Sequence, residues 1–522
     1  MNSSCYTCRR RHVECQMVRP PCKKCEKAGL ECLLKRPLRW VEGATFRGTA
    51  TNSPIESAFQ VRPSTPRHVG SKSPDKSLHE TDLVDYSSEI TTSKGISWHV
   101  GIYEGFLRTP FNLDDPTLKG LDEGSRYYLN YYSRCVCKLF VMFDSQHNPL
   151  RQLIPAAIAH PVLLTSVVAL AARHRANATQ TFEQIQAADH PRVSKPCYDA
   201  ALYKYRAIKG LSQALNDGTG SSLDVVISSA FLLIFLDLFE SGSDKWNVHV
   251  EGVKKLIAAL QVPTMSRDLG TTMEGMRDFA MQQIYLIDTL GTTFTRPGLL
   301  VNPGSHQPST SLQMSVDKAY LGCPEQFVGA LRSFSAARDC LAKPGRLDRV
   351  DAYLLLQTMK DSLESTQSFN CHAWAAGLEP SRSSLIQPTQ SIQMLKDLGQ
   401  AYKSGTLIYG WRVCDVFTGD STPLDDIVDE LISTVAALRS NEALFKCILW
   451  PLFVAGLESR HPCQRQLVGD CLRRFWFETK CINVINAEKI LQRFWAQPEQ
   501  GPSLGPNWIF SMGHIEGDWL LI

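Results

Sequence analysis

From about residue 120 to residue 522, apolar positions recur at three- and four-residue steps, as one face of an α-helix requires. The segment 126–143 shows this spacing at Tyr128, Tyr131, Tyr132, Cys135 and Leu139. The same periodicity returns at 161–172, 198–215, 223–240 and 246–260. Strict alternation of apolar and polar positions, the mark of a half-buried strand, is scarce. The pattern therefore predicts a large all-α body of about 15–20 helices.

The pattern changes twice before residue 120. Residues 51–95 are rich in Ser, Thr, Pro and charge and show no apolar period. Such a composition is typical of disorder, because it cannot offset the entropy of ordering the chain. Residues 1–40 hold six of the 17 cysteines. We therefore predict a mostly α protein in three parts: a small cysteine-rich domain at 1–40, an extension and disordered linker at 41–100, and the all-α body at 101–522.

Charge is concentrated in the cysteine-rich domain. Residues 1–40 carry ten Lys and Arg against three Glu, an excess of +7. Since the whole chain carries +3, the remaining residues sum to −4. A basic head on a slightly acidic body predicts a polyanion partner that the head alone meets.

The remaining sequence is typical of an intracellular protein without a membrane partner. The other eleven cysteines are scattered, as expected of buried thiols in a reducing compartment rather than of a disulfide framework. The N-terminal stretch MNSSCYTCRRRH lacks the apolar segment of a signal peptide. The longest apolar stretch, 225–236, falls short of the ~20 residues that cross a bilayer.

The chain contains none of the motifs that mark zinc proteases, serine hydrolases, P-loops or dinucleotide sites. His174 and His249 lie on helical segments beside apolar faces, so we interpret them as hydrogen-bonded structural histidines rather than catalytic bases. We assign the following aromatic residues to the core rather than to a cofactor cage: Tyr128, Tyr131, Tyr132, Trp246 and Trp411. The sequence predicts a protein that is not an enzyme and has no catalytic residue.

The cysteines of the head form two repeats of C-x2-C-x6-C, namely Cys5, Cys8, Cys15, Cys22, Cys25 and Cys32. A C-x2-C pair brings two thiolates to one metal from a single turn. Two tetrahedral zinc ions need eight ligand positions, which six cysteines fill when two of them bridge both ions, unless other residues join in. His12 is the only histidine nearby, and the pattern is complete without it. A redox pair or a disulfide knot is the alternative, and the doubled spacing favours zinc.

The segment CYTCRRRHVECQMVRPPCKKCEKAGLEC, residues 5–32, resembles the fungal Zn2Cys6 binuclear cluster family with all six cysteines in register. The similarity extends to the basic run after the second cysteine, to Arg19-Pro20 and to Gly29. The resemblance implies two structural Zn²⁺ ions bridged by Cys5 and Cys22, with no position open to a substrate. The segments 129–149, 239–252 and 508–522 are more loosely similar to the helical fungal-specific transcription factor regulatory domain.

A basic run follows the second cysteine and consists of Arg9, Arg10, Arg11 and His12. A short helix here would project several of these side chains from one metal-anchored turn, and arginine pairs with guanine in the major groove of DNA. The resemblance implies that Arg11 and His12 read a CGG-like triplet.

Two further features refine this interpretation. Lys23 and Lys24, in the second repeat, are expected to contact phosphates, because an ammonium group pairs with phosphate as a point charge. His12 and Glu14 stand where lysine is common in the family, and Glu14 could accept a hydrogen bond from cytosine. The recognised triplet can therefore differ from CGG.

The sequence predicts a nuclear, sequence-specific regulator of RNA polymerase II transcription that binds double-stranded DNA. The helical body is expected to serve regulation or the sensing of an unidentified small molecule. The linker has no sustained apolar heptad repeat, so a homodimer would have to form through the body. The alternative function is a scaffold whose zinc module binds protein or RNA.

Overall fold

The computed structural model describes residues 8, 11, 15, 22–28, 32, 118, 120–187, 194–217, 223–243, 246–260, 271–297, 320–342, 348–378, 388–496, 508–515 and 517–522. The predicted disordered linker at 41–100 lies outside the described residues. The chain divides into two compact units, Met1–Leu113 and Asp114–Ile522. The first unit contains one short described helix, α1, at Lys23–Lys27.

The second unit is the helical body, and its all-α character is confirmed within the described residues. These contain no strand beyond an isolated bridge between Ser243 and Trp519. The first half of the body contains α2 (Glu123–Tyr131), α3 (Pro149–Gln152), α4 (Ile154–Ala159), α5 (Pro161–Ala178), α6 (Phe182–Gln186), α7 (Lys195–Asp217), α8 (Leu223–Glu240), α9 (Trp246–Leu260) and α10 (Thr271–Thr292).

The second half of the body contains ten helices in the described residues. They are α11 (Glu325–Leu341), α12 (Arg349–Ser368), α13 (Cys371–Gly377), α14 (Pro388–Thr418), α15 (Asp425–Leu438), α16 (Glu442–Phe445), α17 (Leu449–Glu458), α18 (Pro462–Thr479), α19 (Ile482–Ala496) and α20 (Trp508–Ile515). None of the described helices combines the length and apolar character that crossing a bilayer demands.

Two long helices organise the core. Helix α8 is mostly apolar and is buried on every face from Asp224 to Phe239, because α5, α7, α9, α10 and α19 pack around it. Helix α14 has the same place in the second half, where α11, α12, α13, α15 and α17 surround it. Packing of α10 against α11 joins the two halves.

The segment predicted as one helix over 126–143 changes its winding in the structure. After α2, residues Tyr132–Val136 form a π-helix and Cys137–Phe140 a 3-10 helix. Tyr131, Tyr132 and Ser133 are consecutive and all buried, which a regular helix with one apolar face does not provide. The guanidinium of Arg151 donates to the carbonyl oxygen of Ser133 at 2.7 Å and holds the irregular turn.

The last residues of the chain pack into the body rather than extending from it. Trp246 donates its indole N–H to the carbonyl oxygen of Asp518 at 3.1 Å, and Arg296 forms a 2.8 Å ion pair with the Asp518 carboxylate. The N–H of Leu520 donates to the carbonyl oxygen of Gly242 at 2.7 Å. Gly242 has a φ of 71°, and a Cβ there would lie 2.6 Å from the Cβ of Asn483, so this position requires glycine.

The candidate structural residues of the body lie mostly in the core. Tyr128, Tyr131, Tyr132 and Trp246 are buried, whereas Trp411 is half-buried. Burial raises the pKa of the Cys137, Cys447 and Cys481 thiols to about 12 in each case, so they stay protonated at neutral pH. His249 is also buried, with Nε2 3.3 Å from the carboxylate of Asp237.

One buried ion cluster ties three helices of the second half together. The guanidinium of Arg412 donates to both carboxylate oxygens of Glu458 at 2.8 Å, to Asp415 at 2.9 Å and to the carbonyl oxygen of Thr422 at 3.0 Å. Trp508 donates its indole N–H to Glu458 at 2.8 Å. The cluster therefore connects α14, α17 and α20.

We expect Arg412→Met to lower the free energy of unfolding of the full chain by about 3 kcal/mol. The substitution leaves the carboxylates of Glu458 and Asp415 buried without their shared cation. Urea denaturation followed by circular dichroism measures the loss. The control is Arg460→Met, since Arg460 and its partner Asp425 have side chains 62% and 63% exposed, and exposed pairs contribute below about 1 kcal/mol. Equal losses in the two variants would contradict the role of the cluster.

The His174 ring is enclosed by α2 and α8. Its Nδ1 lies 2.9 Å from the hydroxyl of Tyr131, and the ring of Phe239 meets it edge-on at 5.0 Å. Burial, together with the positive charges of Lys480, Lys138 and Arg175, lowers the pKa of His174 to about 3. The imidazole is therefore neutral in the folded protein at physiological pH.

The depressed pKa of His174 predicts a loss of stability in acid. As pH falls below about 6.5, the His174 imidazole binds a proton in the unfolded chain, whereas in the folded chain it stays neutral until about pH 3. The contribution of the neutral His174 to the free energy of unfolding is therefore fully present above pH 6.5. Between pH 7 and pH 5 the free energy of unfolding of the wild-type chain should fall by about 2 kcal/mol more than that of His174→Gln, because the substitution removes the titrating group. Denaturation curves at both pH values measure this difference, and identical pH slopes would refute it.

Candidate metal centre

Helix α1 places two cysteines of the head on one turn. Cys22 stands at the N-cap in extended conformation, and its sulfur accepts the N–H of Cys25 at 3.4 Å. Ala28 caps the C-terminal end of the helix, and its N–H donates to the carbonyl oxygen of Cys25 at 3.2 Å. The corresponding bond in the first repeat runs from the N–H of Arg11 to the carbonyl oxygen of Cys8 at 3.0 Å. The sequence repeat is therefore also a repeat of backbone geometry.

The sulfur atoms of five described cysteines converge. Cys8, Cys15 and Cys22 form one group and Cys22, Cys25 and Cys32 a second, with all sulfurs of a group within 4.8 Å of one another. The Cys8 and Cys22 sulfurs are 3.6 Å apart. A tetrahedron with Zn–S bonds of about 2.3 Å has edges of about 3.8 Å, so this spacing fits zinc.

Burial and hydrogen bonding also fit a metal centre. Cys8, Cys15, Cys22 and Cys25 are buried and Cys32 is half-buried, and together they form the core cluster of the described part of the head. None of these five is in a disulfide. The N–H of Cys22 donates to the Cys32 sulfur at 3.2 Å, and such donors stabilise a negatively charged metal ligand. The donor set is that of a structural zinc site, in which the metal holds the backbone together.

The structure describes only some of the residues predicted to form the site. Cys5, Arg9, Arg10 and His12 lie outside the described residues. The remaining predicted DNA contacts, Arg11, Lys23 and Lys24, are exposed around the buried cysteines.

Sequence reasoning missed one cation of this surface. Lys27, in the last turn of α1, is also exposed. It lies four residues after Lys23, which puts the two side chains on one helix face, and that spacing was the available signal. In the second repeat Ala28 stands where Arg11 stands in the first, so the arginine run is specific to the first repeat.

Comparison with known families identifies both parts of the chain. Residues 3–41 match the fungal Zn(2)-Cys(6) binuclear cluster domain, and residues 127–522 match the fungal specific transcription factor domain. The chain belongs to the fungal Zn2Cys6 transcription factors. This membership makes it a DNA-binding regulator of transcription rather than an enzyme, and the cluster of its head is a two-zinc cluster.

A curated relative is similar to the chain over nearly its whole length. The acriflavine sensitivity control protein acr-2 of Neurospora crassa is 23% identical, in an alignment that covers 99% of this chain and 97% of the relative. The similarity therefore includes the head, the linker and the body in one order. No solved structure matches the chain.

We expect Cys22→Ser to abolish binding of both zinc ions, because the Cys22 sulfur belongs to both groups of cysteines. Elemental analysis of the purified full chain after dialysis measures the zinc content. Cys463→Ser is the control, since Cys463 is an exposed thiol on α18 and its loss should leave two zinc ions per chain. A Cys22→Ser protein that retained two zinc ions would show that its sulfur is not shared.

Proposed function

We propose that the chain is a sequence-specific regulator of RNA polymerase II transcription that reads a CGG-like triplet through the basic run of its head. The observation that carries the proposal is the position of Arg11. Its backbone is hydrogen-bonded to that of Cys8, whose side chain is fully buried, while Arg11 itself is exposed. An arginine held in this way has its backbone fixed before DNA binds, and its planar guanidinium can donate two hydrogen bonds to one guanine.

The zinc ligands of the proposal are the six cysteines of the head. Cys22 belongs to both described groups, which supports it as one bridging ligand. Each group contains three sulfurs, so a tetrahedron around each ion requires one more ligand. We assign that place in both tetrahedra to Cys5, the remaining cysteine of the repeat. Bound zinc supplies no reaction chemistry here, since every position is filled by protein sulfur.

The DNA contacts of the proposal divide into two kinds. Arg9, Arg10, Arg11 and His12 follow Cys8 in the sequence, and an arginine there can pair with O6 and N7 of guanine. Lys23 and Lys24 are exposed on the first turn of α1, where a lysine pairs with phosphate and fixes the register of the head without reading bases.

Three finer expectations stay predictions. Members of this family act in the nucleus, and we expect the same location for this chain. A homodimer would form through the helical body, and the body would serve regulation or the sensing of a small molecule. The number of chains bound to one selected DNA site measures whether the chain acts as a dimer.

Binding-site selection with the zinc-loaded full chain tests the proposal. The selected duplexes should share a triplet related to CGG. Arg11→Ala should relax the base preference and weaken binding to the selected site by about 1–3 kcal/mol, because a bidentate guanine contact is lost. Lys23→Ala should weaken all sequences alike and reduce the salt dependence of binding by about one phosphate contact.

The matched control is Lys360→Ala, which removes an exposed lysine from α12 and should leave DNA binding unchanged. An Arg11→Ala protein with the wild-type base preference would refute the role of Arg11. Failure to select any duplex, together with retained zinc, would favour the scaffold alternative.

A further inference from the structure

Helix α7 presents tyrosines to the solvent on the side opposite its packed face. Ala200, Tyr203 and Ala207 are buried at steps of three and four residues and face the core. Tyr198 and Tyr205 lie on the opposite side of the helix and are 62% and 55% exposed. The outer face of a soluble helix is ordinarily polar, so two large aromatic side chains seven residues apart are unexpected there.

The same face is positively charged. Lys195, Arg206 and Lys209 are exposed, and the ammonium group of Lys209 lies 5.9 Å from the ring centre of Tyr205. We call these three cations, with Tyr198 and Tyr205, the α7 stripe. Asp199 is the one carboxylate between residues 195 and 216.

The Asp199 carboxylate neutralises the cations of the stripe less than a fully exposed carboxylate would. It is half-buried, and one of its oxygens accepts the hydroxyl of Tyr128 at 2.8 Å. Between residues 195 and 216, α7 therefore presents no exposed carboxylate beside the cations of the stripe.

A row of tyrosines supports the stripe from one side. The guanidinium of Arg206 lies 5.5 Å from the ring centre of Tyr203, and Tyr128 meets Tyr203 edge-on at 5.6 Å. Tyr127 meets Tyr128 at 5.0 Å and is 45% exposed. Rings that hold one another in place lose little conformational entropy on binding, which is why tyrosine and arginine are frequent at the energetic centres of interfaces.

We propose that the α7 stripe docks a helical segment of a partner protein that carries acidic and apolar residues on one face. Its cations complement acidic side chains, and its tyrosines offer apolar contact between them. From Lys195 to Lys209 the stripe is about 21 Å long, which matches about 14 residues of a helical segment. The docking surface lies on the body and gives the regulator a protein partner in addition to its DNA site.

Neighbouring charges favour a protein segment over nucleic acid. Asp122 and Glu123 are exposed at the start of α2, and the Asp122 carboxylate lies close enough to Tyr203 to raise the pKa of its hydroxyl, after the larger effect of burial. A phosphate backbone laid over the stripe would meet these carboxylates. Surfaces that bind DNA are more uniformly positive than this one.

Peptide binding to the full chain tests the proposal. The zinc-loaded chain is held with excess duplex DNA, so that the cations of the head are occupied. The probe is a fluorescent peptide of about 14 residues with Asp or Glu and Leu or Phe at three- and four-residue steps, so that both kinds share one helix face, and anisotropy reports its affinity. Tyr198→Ser with Tyr205→Ser, and separately Lys195→Glu with Lys209→Glu, should each weaken binding by about tenfold or more.

The matched control replaces the same residue types on another exposed helix face. Tyr353→Ser with Lys360→Glu removes a tyrosine that is 67% exposed and a lysine from α12, and it should leave the affinity unchanged. Thermal unfolding of each variant verifies that the body is folded, and Tyr198→Phe with Tyr205→Phe should retain binding because the rings remain.

Several results would overturn the proposal. Equal peptide affinity in the α7 and α12 variants, or no peptide binding to the wild type, would show that the α7 stripe is not a docking surface. Displacement of the peptide by single-stranded oligonucleotide would assign the stripe to nucleic acid instead. Retained DNA-site selection in the α7 variants separates this surface from the function of the head.

Discussion

The sulfur of Cys22 belongs to both groups of cysteines, and the organisation of the head depends on that sharing. A segment of about 40 residues cannot bury enough apolar surface to fold alone, so a metal-bound sulfur core takes the place of a hydrophobic one. The described core of the head consists of cysteines. Because the sulfurs occupy the interior, the cationic side chains are left on the outside, where Arg11, Lys23 and Lys24 are exposed.

The helical body is stabilised in a different way. Its two central helices, α8 and α14, are covered by neighbouring helices and supply a large apolar core. Buried charges in this core form ion pairs, as Arg412 does with Glu458 and Asp415. An isolated buried charge would be costly, whereas a cation that satisfies two carboxylates holds three helices in a defined arrangement.

The two units therefore separate two kinds of recognition. The head concentrates positive charge beside its cysteines and meets DNA. The body, which is slightly acidic together with the linker, has one helix whose outer face is basic and aromatic. A transcription regulator needs contact with its DNA and with other proteins, and these two surfaces lie on separate units.

The sequence by itself determined the metal chemistry and the helical class. Six cysteines at a repeated spacing specify zinc because ligand geometry is local, and the apolar period specifies helices because it follows from 3.6 residues per turn. Only the tertiary structure showed which described cysteine sulfurs converge. It also showed that the helix after Tyr131 widens into a π-helix. The contacts of Asp518 with Trp246 and Arg296 likewise came from the structure alone. It also revealed the α7 stripe, because apolar spacing alone cannot tell a tyrosine in the core from one on the surface. These features depend on contacts between residues that are distant in the chain, and no local pattern encodes such contacts.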